Sequence, residues 1–131
     1  MYEVSVEAEF AAAHFLADFH GKCENLHGHN YRVKAYVRGE TLDEGGMLMD
    51  FGILKGALRD VCKSLDHSHL NEVKENGVPV FQNNPSAERI ARFIFVQLEK
   101  RIPSLPDARL YAVDVFETPV NRARYIGRLC T

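Results

Sequence analysis

The sequence predicts an α+β fold: a four-stranded antiparallel sheet with two helices on one face, in the order ββααββ. Three observations predict it. Two segments near the N-terminus alternate apolar and polar residues, two later segments repeat apolar residues at helical spacing, and two further strand-like segments close the chain. Strands and helices therefore come in runs, which is the pattern of an antiparallel sheet rather than of alternating strand–helix units.

The first strand carries Tyr2, Val4, Val6, Ala8, Phe10 and Ala12 on one side and Glu3, Ser5, Glu7 and Glu9 on the other. Residues 15–26, FLADFHGKCENL, break that alternation and read as a loop. A second strand runs from about His27 to Arg38, with His29, Tyr31, Val33, Ala35 and Val37 on one face. GETLDEGG is turn material. The first helix is expected to start at Asp50 as N-cap and to bury Phe51, Leu54, Leu58, Val61, Cys62 and Leu65. The DFG at residues 50–52 is a cap, since the other motifs of a kinase are missing. For the second helix, Asn84 is the expected cap and Pro85 the first helical residue, with Ile90, Ala91, Ile94, Phe95 and Leu98 as the apolar stripe. The prolines of RIPSLPD end it. Strands at about 109–118 and 124–129, joined by PVN, complete the order.

The 131 residues suit a single domain spanning 1–131. A net charge of −2 gives no long-range pull toward nucleic acid or an anionic membrane. No apolar run is long enough for a bilayer, and the N-terminus has no basic-then-apolar leader, so a cytoplasmic protein is expected. The three cysteines are too few and too far apart for a disulfide framework. Cys62 reads as a buried hydrophobe and Cys130 as inert. Cys23 differs because of its neighbours in CENLHGH.

His27 and His29 are two apart in a strand and point the same way. His14 ends the first strand on the face of Phe10 and Ala12, so a hairpin would bring all three imidazoles together. A three-histidine tripod with one position open is the catalytic form of a zinc site; with Cys23 as fourth ligand the site would be the closed structural form. Residue spacing leaves Cys23 open between ligand, base and plain surface thiol; Lys22 beside it and a nearby metal would both favour thiolate. Asp66 and His67 follow the first helix, and a carboxylate beside an imidazole fixes its tautomer and makes a proton relay. His67 and His69 as a second metal pair is the weaker reading, because a loop does not enforce the geometry. His69 is expected to be structural or solvated, and His20 a loop residue. Glu117 ends the third strand; a carboxylate there suits the N–C–N edge of a pterin or guanine, against the plainer reading of a surface glutamate. Glu88 near the start of the second helix reads first as a helix-dipole partner.

In order along the chain, FAAAH, KCENLHGHNY, MDFGILK, LDHSHLN, NPSAERIA and VFETP resemble the 6-pyruvoyl-tetrahydropterin and 6-carboxy-tetrahydropterin synthase family over nearly the whole sequence. The three residues between Cys23 and His27 are similar to the short spacer of the 6-carboxy branch, which serves queuosine biosynthesis. The resemblance implies the tunnelling fold and a homohexamer of two trimers with active sites between subunits. It implies Zn2+ on His14, His27 and His29, a catalytic thiolate at Cys23, and a relay of Asp66 with His67 supplied by a neighbouring subunit. It implies that Glu117 anchors the pterin, with Ser86 and Glu88 near it. The implied substrate is 7,8-dihydroneopterin triphosphate, converted to 6-carboxytetrahydropterin, acetaldehyde and triphosphate. The alternatives are a 6-pyruvoyl-tetrahydropterin synthase and a non-catalytic zinc module. Arg122, Arg124 and Lys22 are candidate triphosphate contacts; the two arginines equally suit a solvent-facing role.

Overall fold

The computed structural model describes residues 1–17, 21, 25–82 and 84–128. Strand β1 (Tyr2–His14) pairs antiparallel with β2 (His27–Gly39) along its whole length, from Tyr2 opposite Gly39 to His14 opposite His27. Helix α1 (Phe51–Leu65) starts at Asp50, whose side chain accepts the Gly52 N–H at 2.7 Å, as expected of an N-cap. It buries Leu54, Ala57, Leu58, Val61, Cys62 and Leu65; Phe51, expected in that stripe, sits at the first helical position and stays 59% exposed. Burial pushes the Cys62 thiol up to about 12, so it is an inert hydrophobe.

After α1 come strand β3 (Ser68–His69), one 3-10 turn (Leu70–Glu72), and a small hairpin of β4 (Lys74–Glu75) and β5 (Val78–Pro79). Asn76 and Gly77 turn that hairpin with φ of 53° and 78°, the left-handed pair that an Asn-Gly turn requires. Helix α2 (Ala87–Arg101) buries Ile90, Ala91, Ile94, Phe95 and Leu98 as expected. Its cap is Ser86, not Asn84: the Ser86 hydroxyl accepts the Arg89 N–H, and the Asn84 side chain is committed elsewhere. Pro85 therefore precedes the cap.

Strands β6 (Ala108–Thr118) and β7 (Asn121–Ile126) follow. β7 starts earlier than its sequence suggests, because the Thr118 hydroxyl accepts the N–H groups of Val120 and Asn121 and closes a tight turn. The sheet order is β3-β1-β2-β6-β7. It is antiparallel except at β3, which adds a short parallel fifth strand to the expected four through Ala12–Ser68 and Ala13–His69. Both helices cover one face, α1 over β1 and α2 over β6 and β7. That face carries Phe10, Tyr31, Val33, Ala35, Val113 and Val115. No described helix is long and apolar enough to cross a membrane.

The other face is charged. Glu3 pairs with Arg38 at 2.6 Å and Glu7 with Lys34 at 3.0 Å. Arg32 lies over the Phe116 ring at 4.1 Å. At its centre Asp114 is fully buried. Arg124 grips both carboxylate oxygens at 2.7 and 3.0 Å, and the Tyr36 hydroxyl donates at 2.8 Å. Arg122 stands 3.6 Å away. Arg124 is thus occupied in binding Asp114. Burial alone would raise the Asp114 pKa; the hydrogen bonds from Arg124 and Tyr36 outweigh it and hold the carboxyl below its ordinary value of 3.8.

Replacing Asp114 with Ala strands the Arg124 cation, and the expected loss is about 3 kcal/mol in chemical denaturation at neutral pH. The sign with pH follows from the lowered pKa. On acidification the unfolded chain takes up the proton first, so this contribution is whole above the ordinary value of 3.8 and is lost as pH falls through the lower folded value. Denaturation of the wild type and Asp114→Asn across that acid range measures it: the variant should lack this part of the acid loss.

Candidate metal centre

The β1–β2 register builds the centre. His14 and His27 are cross-strand partners, and His29 faces Ala12 one step along. Alternation sets all three side chains on the helix-facing side, at the end where the hairpin opens into residues 15–26. Their ligand atoms lie within 4.8 Å of one another, so the three could hold a metal ion. His14 is 1% exposed, and the side chain of His29 is 20% exposed.

The tautomers are set by carbonyls. His14 Nδ1 stands 2.8 Å from the Pro85 carbonyl and His27 Nδ1 stands 2.7 Å from that of Asn25. A carbonyl only accepts, so each Nδ1 donates there and leaves Nε2 as the nitrogen that turns inward. Those two Nε2 atoms are 3.0 Å apart. When both rings are neutral, two lone pairs meet there, and a shared cation would relieve the contact. Among the described residues His29 Nε2 is buried with no hydrogen-bond partner. Burial lowers the pKa of both His14 and His29, against the opposing pull of Glu117, and so favours the neutral, metal-binding ring. Three inward imidazole lone pairs, two of them oriented by carbonyls, fit a metal that prefers nitrogen.

Glu117 reaches the same place from β6. Its two oxygens stand 3.8 Å from His14 Nε2 and 3.9 Å from His29 Nε2. Tyr31, fully buried, walls the centre: its ring stacks on Phe10 at 4.7 Å and meets His29 edge-on at 5.4 Å, and its hydroxyl has no partner among the described residues.

Asp66 ends α1. One oxygen accepts the Ala11 N–H at 2.8 Å, and the other meets His67 Nδ1 at 2.8 Å. These contacts hold the Asp66 carboxyl below its ordinary value, the Ala11 N–H most of all. His67 takes a left-handed φ of 54° and projects into solvent, 85% exposed, the kind of backbone strain that gathers at functional sites. Within one chain the pair has no contact with the three histidines among the described residues. His69 instead faces Phe15 and Glu72. The Ser86 hydroxyl is used as a helix cap, and Glu88 is exposed in the first turn of α2. Cys23, Lys22, His20 and Cys130 lie outside the described residues.

Two asparagines also build this end of the hairpin. Asn71 bonds both the N–H and the carbonyl of Phe15, and Asn84 does the same to Ala17. The two amides imitate strand pairing and clamp the chain where it leaves the metal centre. Their position in LDHSHLN and NPSAERIA was the available signal.

The family model for 6-pyruvoyl tetrahydropterin synthase matches residues 3–128. The chain belongs to this family. A 6-carboxy-5,6,7,8-tetrahydropterin synthase from Synechocystis is 38% identical over 97% of this chain and 95% of its own. A 6-pyruvoyl tetrahydrobiopterin synthase from Drosophila melanogaster is 39% identical over 82% of this chain and 62% of its own. The solved structure of the Caenorhabditis elegans 6-pyruvoyl tetrahydropterin synthase superposes with a TM-score of 0.78 at 31% identity, covering 98% of both chains. The fold is therefore the tunnelling fold of this family.

His29→Ala removes one inward lone pair of three. The variant should lose bound metal, read as metal per chain by elemental analysis after gel filtration; full occupancy would take His29 out of the site.

Proposed function

We propose that the protein is a zinc-dependent 6-carboxy-5,6,7,8-tetrahydropterin synthase of the queuosine pathway, a carbon–carbon lyase. It would convert 7,8-dihydroneopterin triphosphate and water to 6-carboxytetrahydropterin, acetaldehyde and triphosphate. The observation that carries this reading is the set of three convergent, carbonyl-oriented imidazoles in a chain so similar to the Synechocystis synthase.

His14, His27 and His29 would hold the zinc. A zinc ion bound there supplies Lewis-acid polarisation of the substrate side-chain oxygens, which acidifies the neighbouring C–H. Cys23 would move the carbon-bound proton as thiolate, and Asp66 with His67 would shuttle protons to and from oxygen. Glu117 would orient the pterin, with Ser86 and Glu88 close by. The solvent-facing His67 and its separation from the tripod support a relay that serves a neighbouring subunit, as the homohexamer would require.

The Drosophila synthase is as similar over its matched part, which keeps the 6-pyruvoyl product as the second reading. Product identification by mass spectrometry separates the two: 6-carboxytetrahydropterin with acetaldehyde is expected from zinc-loaded protein and 7,8-dihydroneopterin triphosphate. A 6-pyruvoyl product would move the chain to the biopterin branch, and no turnover by metal-filled protein would leave a binding module. Cys23→Ala should keep its metal and lose turnover. Metal lost together with activity would make Cys23 a ligand rather than the base.

A further inference from the structure

We propose that the Glu117 carboxylate is the fourth ligand of the metal centre while no substrate is bound, so that it must leave the ion before substrate can enter. This rests on the reading of the three imidazoles as a metal tripod.

The strand places the carboxylate there. Val113 and Val115 of β6 are buried in the core, and alternation puts Glu117 on the same face. Arg32 is the partner of Phe116, so Glu117 comes level with Tyr31, next to the histidine row. The pairing of β6 with β7 slips between Phe116 and Thr118 and leaves Glu117 without a partner on that side. Such a bulge redirects a side chain, here toward the imidazoles.

The donor geometry suits a cation. His14 Nδ1 donates its N–H to the Pro85 carbonyl, which leaves Nε2 as the inward nitrogen. Glu117 brings one carboxylate oxygen to 3.8 Å from that nitrogen and the other to 3.9 Å from His29 Nε2, which has no hydrogen-bond partner among the described residues. Among the described residues no lysine or arginine approaches this carboxylate. The separations are too long for hydrogen bonds. They approach the spacing of ligands around one tetrahedral zinc ion, roughly 3.3 Å for bonds of about 2.0–2.1 Å. Glu117 stands on the side of His14 and His29, outside the 4.8 Å group that includes His27, so a short swing of its side chain completes the set.

A carboxylate in that position adds charge to a neutral tripod. It strengthens the hold on the ion and keeps water and stray anions off it. Substrate oxygens then compete with Glu117 for one place, and the carboxylate they release is free for the pterin role that the family resemblance gives it.

Cobalt(II) in place of zinc makes the ligand set visible. Wild type, E117Q and E117A would each be loaded with one Co2+ per chain. Both variants should show a changed visible absorption spectrum and hold Co2+ about 10- to 100-fold more weakly against a competing chelator. Acetate added to E117A should restore the spectrum toward that of wild type, and wild type should not respond to acetate. Variants with the wild-type spectrum and affinity would overturn the proposal. E117Q keeps the volume of the side chain, so the comparison stands even if E117A does not fold. A wild-type protein that takes up no Co2+ would overturn the tripod reading itself, an outcome distinct from a loaded protein that is indifferent to position 117.

Discussion

The register between β1 and β2 is the constraint on which the rest depends. Because the two strands pair from Tyr2–Gly39 to His14–His27 without a break, one alternation fixes the core and the three-histidine cluster together. A slip of one residue in either strand would turn its histidines to the charged face and take Phe10 or Tyr31 out of the core. The apolar packing under α1 and α2 therefore also holds the imidazoles in place. The two carbonyls at the hairpin's open end complete the arrangement by choosing which nitrogen turns inward.

The sheet divides its electrostatics by face. The helix-covered face buries apolar side chains and, at one end, the three imidazoles beside the Glu117 carboxylate. The opposite face pairs acids with bases across strands and packs guanidinium groups on aromatic rings. Asp114 belongs to this second face although it is fully buried, because Arg124, Arg122 and Tyr36 cover it. A carboxylate with several donors stays ionised and structural. Glu117, by contrast, has only imidazoles within ion-pair distance among the described residues.

Much of this was legible in the residues themselves. Alternation and helical spacing give the order ββααββ, and the parity of His14, His27 and His29 gives the tripod. What escaped the sequence depends on partners distant along the chain. Asn84 looks like a helix cap until Ala17 claims its amide. Arg124 looks free for phosphate until Asp114 appears beneath it. The bulge that aims Glu117 arises from pairing between β6 and β7, which no single strand reveals. β3 is too short to carry a pattern, whereas the Asn76–Gly77 turn was marked by its dipeptide and could have been read.

The segment 15–26 leaves and re-enters the hairpin at two residues that face each other, His14 and His27. Its ends are therefore pinned by the sheet, and Asn71 pins its first turn a second time. A segment whose ends are held in this way tolerates insertion: each doubling of the length of a flexible connection costs only about 0.6 kcal/mol in closure entropy. The stretch that contains Cys23 can lengthen, shorten or change composition while the histidines stay in register. Evolution could thus change the residues between the two strands without rebuilding the histidine cluster at their ends, and the two are free to diverge at different rates.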